Sequence, residues 1–376
     1  MLALGEGGGS ARASTAMLSA SQPHACEEIP ARIVPTIGST PRGVKFPDRG
    51  CPIRALTSHP RFFRVARVDE GRTTRSAAIA RAPFDSGGPF RAALRRITDG
   101  AVALSSRLTG DDLEERVAQA LTLSTNELGI DPFGADRDTV RLSVAFLVHL
   151  YRHWFRAEVH GIENMPAGRV MLVSNHGGQI PLDGVVIACA LLLDGKPPRF
   201  VRSMVERFIS TLPFFSVWFP RVGQVLGAQD NARRLLEADE ALLVFPEGAK
   251  GISKSFDQRY KLAPFGPGFM RLALETKSPI VPVAVIGAEE QYPSVGDFKK
   301  LAKAIGAPSI PIIPQLFMGM LMPLPTKYRV YFGEPLRFTG DPDDEDAVID
   351  EKVWAVQTTV QSMVNRALRE RRSIFW

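Results

Sequence analysis

From residue 157 onward, short apolar runs alternate with segments of helical period, and each run stops at a glycine, a proline or a polar residue. Val170–Ser174, Ala241–Phe245 and Ile280–Ile286 are almost wholly apolar, so strands built from them need both faces covered. Phe200–Arg202, Val222–Leu226 and Tyr328–Phe332 read as further strands. Between and after them, Asp183–Leu193, 231–238 (capped by Asp230), Gly266–Thr276 and a long terminal stretch, 344–372, read as helices. Such alternation predicts an α/β domain: a central, mostly buried mixed sheet flanked by helices, with an N-terminal helical segment and a long C-terminal helix.

The preceding segments divide differently. Residues 1–84 show no sustained period of 2 or 3.6 and are rich in Gly, Pro, Ser and Arg, as expected of a disordered leader. The chain's formal charge of +6 resides there, and the remainder balances to zero. A neutral body gives no footprint for nucleic acid. Helices are expected at 90–106, at 111–128, and from Asp136 or Asp138 to about Phe155. On the third, Leu142, Phe146, Leu150 and Trp154 share a face that Val144, Leu147, Tyr151 and Phe155 widen. The predicted organisation is a basic leader over 1–84, a helical segment over 85–156, an α/β core over 157–340 and a terminal helix over 341–376. Cys26, Cys51 and Cys189 form no CxxC pair, which fits a reducing compartment and no metal site.

Two strand ends carry chemistry. After Val170–Ser174 the chain reads Asn175-His176-Gly177-Gly178-Gln179-Ile180-Pro181-Leu182-Asp183. A histidine delivered by a buried strand suits a general base near neutral pH, and a carboxylate on its other ring nitrogen would set the tautomer. The bland alternatives are a loop histidine and a helix-capping aspartate. After Ala241–Phe245 comes Pro246-Glu247-Gly248-Ala249-Lys250-Gly251. Reactive groups in α/β sheets gather at the carboxyl ends of strands. Glu247 is suited to a substrate hydroxyl, and Lys250, Lys254, Arg259 and Lys261 to a phosphate, the alternative being a solvated basic loop. No G-x-S-x-G elbow, P-loop or H-E-x-x-H occurs.

Together these two segments resemble the paired blocks of the glycerophospholipid acyltransferase family, to which 1-acylglycerol-3-phosphate acyltransferases belong. Asn175, His176 and Asp183 match the block that supplies the catalytic dyad; Phe245, Pro246, Glu247 and Gly248 match the acceptor-binding block. Ile280-Val281-Pro282-Val283 matches a later apolar block, and the resemblance spans roughly residues 140–335 in order. It implies transfer of a fatty acyl group from acyl-CoA or acyl carrier protein to a glycerolipid or related lipid alcohol, by His176 acting as general base with Asp183. No cofactor is implied. The chain departs from the family in placing six residues, rather than four, between His176 and Asp183. A usual arginine is also missing from Gly223-Gln224-Val225-Leu226-Gly227-Ala228-Gln229-Asp230, while Lys250 stands where an arginine often follows the Glu-Gly pair. These departures make a neutral acceptor, such as a mono- or diacylglycerol, a candidate beside a phosphorylated one. An inactive lipid-binding scaffold and a lipid hydrolase are the other readings.

No apolar stretch reaches the length of a spanning helix, so the expected membrane contact is peripheral, at the cytoplasmic face. The helix ending at Trp154 and Phe155 is one candidate surface. The aromatic stretch Phe208–Pro220 is the other.

Overall fold

A computed structural model describes residues 89–304 and 310–376; the leader, with Cys26 and Cys51, lies outside the described residues. Three helices open this part: α1 (Pro89–Thr109), α2 (Leu113–Ala120) and α3 (Arg137–His149), the last prolonged by a π-helical turn, Leu150–Trp154. Helix α2 is shorter than its expected 111–128. Beyond Ala120, Asn126 Oδ1 takes the main-chain N–H groups of Leu128 and Ile130, and Asp131 Oδ1 those of Phe133 and Ala135. Such side-chain bonds replace the helical ladder with turns. Helix α3 starts where expected, with Asp136 accepting from the Asp138 N–H. Its buried stripe is Val140, Val144 and Val148, continued by Tyr151 and Phe155, while Phe146 is 66% exposed. The face centred on Leu142 and Phe146 is therefore rotated away from the core.

A seven-stranded sheet follows, ordered β1-β9-β6-β2-β5-β3-β4. Its strands are β1 (Glu158–His160), β2 (Val170–Ser174), β3 (Val201–Val205), β4 (Val225–Leu226), β5 (Ala241–Val244), β6 (Ile280–Ile286) and β9 (Arg329–Phe332). Strands β6, β2, β5, β3 and β4 run parallel. Strand β9 pairs antiparallel with β6 and carries β1 parallel to itself, which makes the sheet mixed. Strand β4 covers only the end of the expected Val222–Leu226, because helix α5 (Phe215–Arg221) closes on Val222. A separate two-stranded ribbon pairs β7 (Gly296–Asp297) with β8 (Pro311–Ile312).

Side-chain alternation along the buried strands divides the core between the two faces. Val170, Leu172, Leu243, Val281, Val283 and Val285 pack on α4 (Leu182–Leu193) and on the three opening helices. Met171, Val173, Leu242, Val244, Ala284 and Ile286 face the other layer: α6 (Gln229–Glu237), α8 (Gly268–Thr276) and the terminal α12 (Asp346–Glu370). The expected sheet, flanking helices and long C-terminal helix are all present. The opening helices share one apolar cluster with the sheet.

Candidate active site

The three central strands, β6, β2 and β5, end side by side, so their following residues converge. Asn175 comes first after β2. Its amide donates to Val285 O at 2.9 Å and accepts from Val285 N–H at 2.8 Å. A carboxamide presents a donor and an acceptor as a peptide does, so Asn175 adds a rung to the β2–β6 ladder. It is buried and fully occupied by that task. The next residue, His176, is thereby thrown over the sheet edge.

His176 Nδ1 lies 2.7 Å from Asp183 Oδ2. The same oxygen accepts from Gly177 N–H at 3.0 Å, and Oδ1 accepts from Gly184 N–H at 2.8 Å. Asp183 is wholly buried in the first turn of α4, where a negative charge suits the helix dipole. The six intervening residues return the chain through a tight turn: Ile180 N–H bonds to Gly178 O and Leu182 N–H to Ile180 O. Gly178 has φ +92°, and a Cβ there would sit 2.3 Å from Ala288 O, so only glycine lets the loop lie on this neighbour. The spacing of six thus still brings the carboxylate to the ring. Gly177 N–H is committed to Asp183, which removes it from the donors available to an oxyanion.

With Nδ1 facing the carboxylate, Nε2 is the ring nitrogen left for a substrate proton. The imidazole stacks on Phe245, centroids 4.0 Å apart and planes within 19°. Pro246, next in the chain, is half-buried and its carbonyl accepts from Gly266 N–H. Gly248 follows at φ +57°, ψ −148°, a conformation suited to glycine, and reverses the chain into the short helix Ala249–Ile252. Lys250 is exposed on that helix and makes no hydrogen bond or ion pair among the described residues.

Glu247 behaves differently from a substrate-facing carboxylate. Oε1 accepts from the His176 main-chain N–H at 2.9 Å; Oε2 accepts from Ala263 N–H at 2.6 Å and from Lys254 Nζ at 3.2 Å. Its side chain has no exposed surface. Lys254 also reaches Glu289 Oε1 at 3.1 Å, so its ammonium sits inside a buried Glu–Lys–Glu arrangement rather than in a phosphate loop. Burial pushes the Glu289 carboxyl up to about 7, against the opposing attraction of Lys254. Arg259 lies over the Phe256 ring and Lys261 is exposed.

A third strand end completes the site, and the motif reading missed it. After β6 comes a helical turn, Ala288–Gln291, all buried. Glu289 packs on Gly177, and Gln291 donates to Gly178 O at 3.2 Å and Ile180 O at 2.8 Å. Gln291 Oε1 accepts from Tyr328 O–H at 2.8 Å. Glu290 holds Tyr260 O–H and Arg371. The available signal was the polar triplet Glu289-Glu290-Gln291, set off by Gly287 and Ala288 from a fully apolar strand.

The acyltransferase family model matches residues 156–286, which contain β1 through β6 and the strand ends described above except the turn after β6. A protein of Mycobacterium tuberculosis is 36% identical over 290 residues, covering 74% of this chain and 81% of that protein. The chain belongs to the acyltransferase family. It is also 25% identical over 217 residues to the "DGAT1/2-independent enzyme synthesizing storage lipids" of Gallus gallus, covering 57% of this chain and 61% of that one. Among solved structures, the 1-acyl-sn-glycerophosphate acyltransferase PlsC of Thermotoga maritima aligns with TM-score 0.40 and 16% identity, over 74% of this chain and 99% of its own.

Proposed function

We propose that this protein transfers a fatty acyl group from an acyl thioester, carried by CoA or acyl carrier protein, to the hydroxyl of a glycerolipid or related lipid alcohol at a membrane surface. The observation that carries the reading is the 2.7 Å contact of His176 Nδ1 with buried Asp183, which leaves Nε2 to act. In the proposed reaction Nε2 takes the acceptor hydroxyl proton as that oxygen bonds to the thioester carbonyl carbon. The C–S bond then breaks, and the departing thiolate takes the proton back from the imidazolium. Asp183 balances the charge on the ring in between. The complete dyad argues against a scaffold that has lost activity.

A neutral acceptor is favoured over a phosphorylated one. Lys254 is closed within its two glutamates, and the usual arginine is absent. The Gallus gallus relative, named for the synthesis of storage lipids, points the same way. Two earlier candidates for membrane contact differ in availability. Phe155 is buried and Trp154 Nε1 donates to Pro323 O at 3.1 Å, whereas Phe214 and Phe215 are exposed beside Val217. No helix among the described residues is long and apolar enough to cross a membrane. The decisive experiment supplies labelled acyl-CoA or acyl carrier protein with mono-, diacyl- and phosphorylated glycerols. Labelled ester on one acceptor is expected. Free fatty acid alone would identify a hydrolase, and no product with any pair would overturn transfer.

A further inference from the structure

The chain between β8 and β9 bears an apolar surface that the core does not use. Helix α11 (Pro314–Phe317) and the turn after it expose Phe317, Met318, Met320, Leu321 and Met322, with Phe317 72% and Leu321 77% accessible. These side chains are presented on a secured backbone. Tyr292 O–H donates to Leu321 O at 2.7 Å, Gln315 Nε2 to Met322 O at 3.0 Å and Trp154 Nε1 to Pro323 O at 3.1 Å. Arg156 Nη2 then bonds both Pro325 O and Phe375 O, at 2.6 and 2.7 Å, drawing Phe375 and Trp376 to the same region. Trp376 is 79% exposed. Val295 and Phe298, which flank β7, and Leu301, on the following helix Lys299–Ala304, are exposed as well.

Cations outnumber acids near these residues: 298–333 contain Lys299, Lys300, Lys303, Lys327 and Arg329 and no Asp or Glu, with Lys327 and Arg329 paired to Glu158. Lys300 is exposed, as is Arg372 just before Phe375 and Trp376. Flexible methionines, bulky apolar groups and aromatic rings with a basic rim match the boundary of an anionic bilayer, where rings and methylenes enter the acyl region and cations stay at the headgroups. The surface is also continuous with the site. Leu324 N–H bonds to Gln291 O at 2.9 Å, and the Gln291 amide holds Gly178 O and Ile180 O of the His176 loop.

We propose that residues 317–322, with Phe375 and Trp376, form the surface on which this protein lies against an anionic lipid bilayer, so that the His176 loop is held at the bilayer edge. The inference rests on the lipid-acceptor reading for its purpose but is measured separately from it. The full chain is cosedimented with phosphatidylcholine vesicles containing phosphatidylglycerol, in high salt to screen the leader. Phe317→Ser combined with Leu321→Ser is compared with Phe215→Ser combined with Trp218→Ser. The first pair is expected to weaken vesicle binding at least about tenfold, at unchanged melting temperature, because both side chains are solvent-facing. Loss confined to the second pair, or binding equal to the parent in both, would overturn the proposal. So would a vesicle-free dimer that the first pair dissociates, since the surface would then join two copies. Acyl transfer is followed in parallel with a detergent-dispersed acceptor. Vesicle binding lost in the first pair without any transfer by the parent would sink the catalytic reading and leave the surface standing.

Discussion

The main-chain N–H of His176 donates to Glu247 Oε1 at 2.9 Å, so the two sequence motifs that resemble family blocks are joined by a buried hydrogen bond. One motif sets the position of the other's histidine. Strands β2 and β5 are adjacent and in register through Val173 and Val244, which places the two residues opposite each other just beyond the sheet.

His176→Ala is expected to lower kcat by about 10²–10⁴ with the fold intact, because it removes the proposed general base. Asp183→Asn is expected to be at least as severe. An amide cannot balance an imidazolium, and the analogous change in serine proteases costs about 10⁴. Steady-state kinetics with a thermal melt of each variant checks both. Near-normal turnover of either variant would remove the dyad from the mechanism.

Glu247→Gln is expected to act on kcat and stability rather than on acceptor KM. Its carboxylate accepts from His176 N–H, Ala263 N–H and Lys254, and an amide nitrogen cannot replace either oxygen as acceptor. Breaking a buried charge pair from one side costs roughly 3–5 kcal/mol. Denaturant unfolding and a kcat-against-KM comparison test this; an isolated rise in acceptor KM would show instead that Glu247 meets the acceptor.

Gln291→Leu is expected to reduce kcat about tenfold at near-constant KM by releasing Gly178 O and Ile180 O, roughly the loss of one to two hydrogen bonds. Its effect should vanish in an Asp183→Asn background, because both changes act through the orientation of His176. Additive losses in the double variant would mean that Gln291 acts elsewhere.

Glu289 gives a signed pH effect. Burial raises its folded-state carboxyl to about 7 from 4.5, so the native protein holds this proton more firmly than the unfolded chain does. The contribution is full below about pH 4.5 and is lost as pH rises through about 7, amounting to roughly 3 kcal/mol. Glu289→Gln should flatten the fall in unfolding free energy between those values. Urea titrations at several pH values would show an unchanged slope if Glu289 is not the group responsible.

Lys250→Ala separates the acceptor classes. Lys250 is exposed and without a protein partner among the described residues, so its removal should leave stability and the KM of a neutral acceptor unchanged. A KM rise of about tenfold or more would restore a phosphorylated acceptor, since a charge-assisted bond contributes on the order of 1.5–3 kcal/mol.

Local pattern was enough for the sheet strands Val170–Ser174, Ala241–Val244 and Ile280–Ile286, because a strand buried on both faces must be apolar at every position. It was also enough to single out His176 and Asp183, which the fold brings within 2.7 Å of each other. Strand order was beyond it, and with it the meeting of β2, β5 and β6 at one edge, because pairing partners such as Val170 and Ala241, or Met171 and Ile280, are far apart in the chain. For the same reason the roles of Glu247 and Lys254 were not legible: a carboxylate and an amine in a loop look alike whether they face solvent or each other. Asn175 and Gln291 depend on main-chain atoms of other segments, Val285 and Gly178, and no side-chain pattern records such partners. The sequence by itself determined which segments are buried and which polar residues follow them; only tertiary structure decided which of those polar groups are occupied in holding one another, as Glu247 and Lys254 are, and which are not.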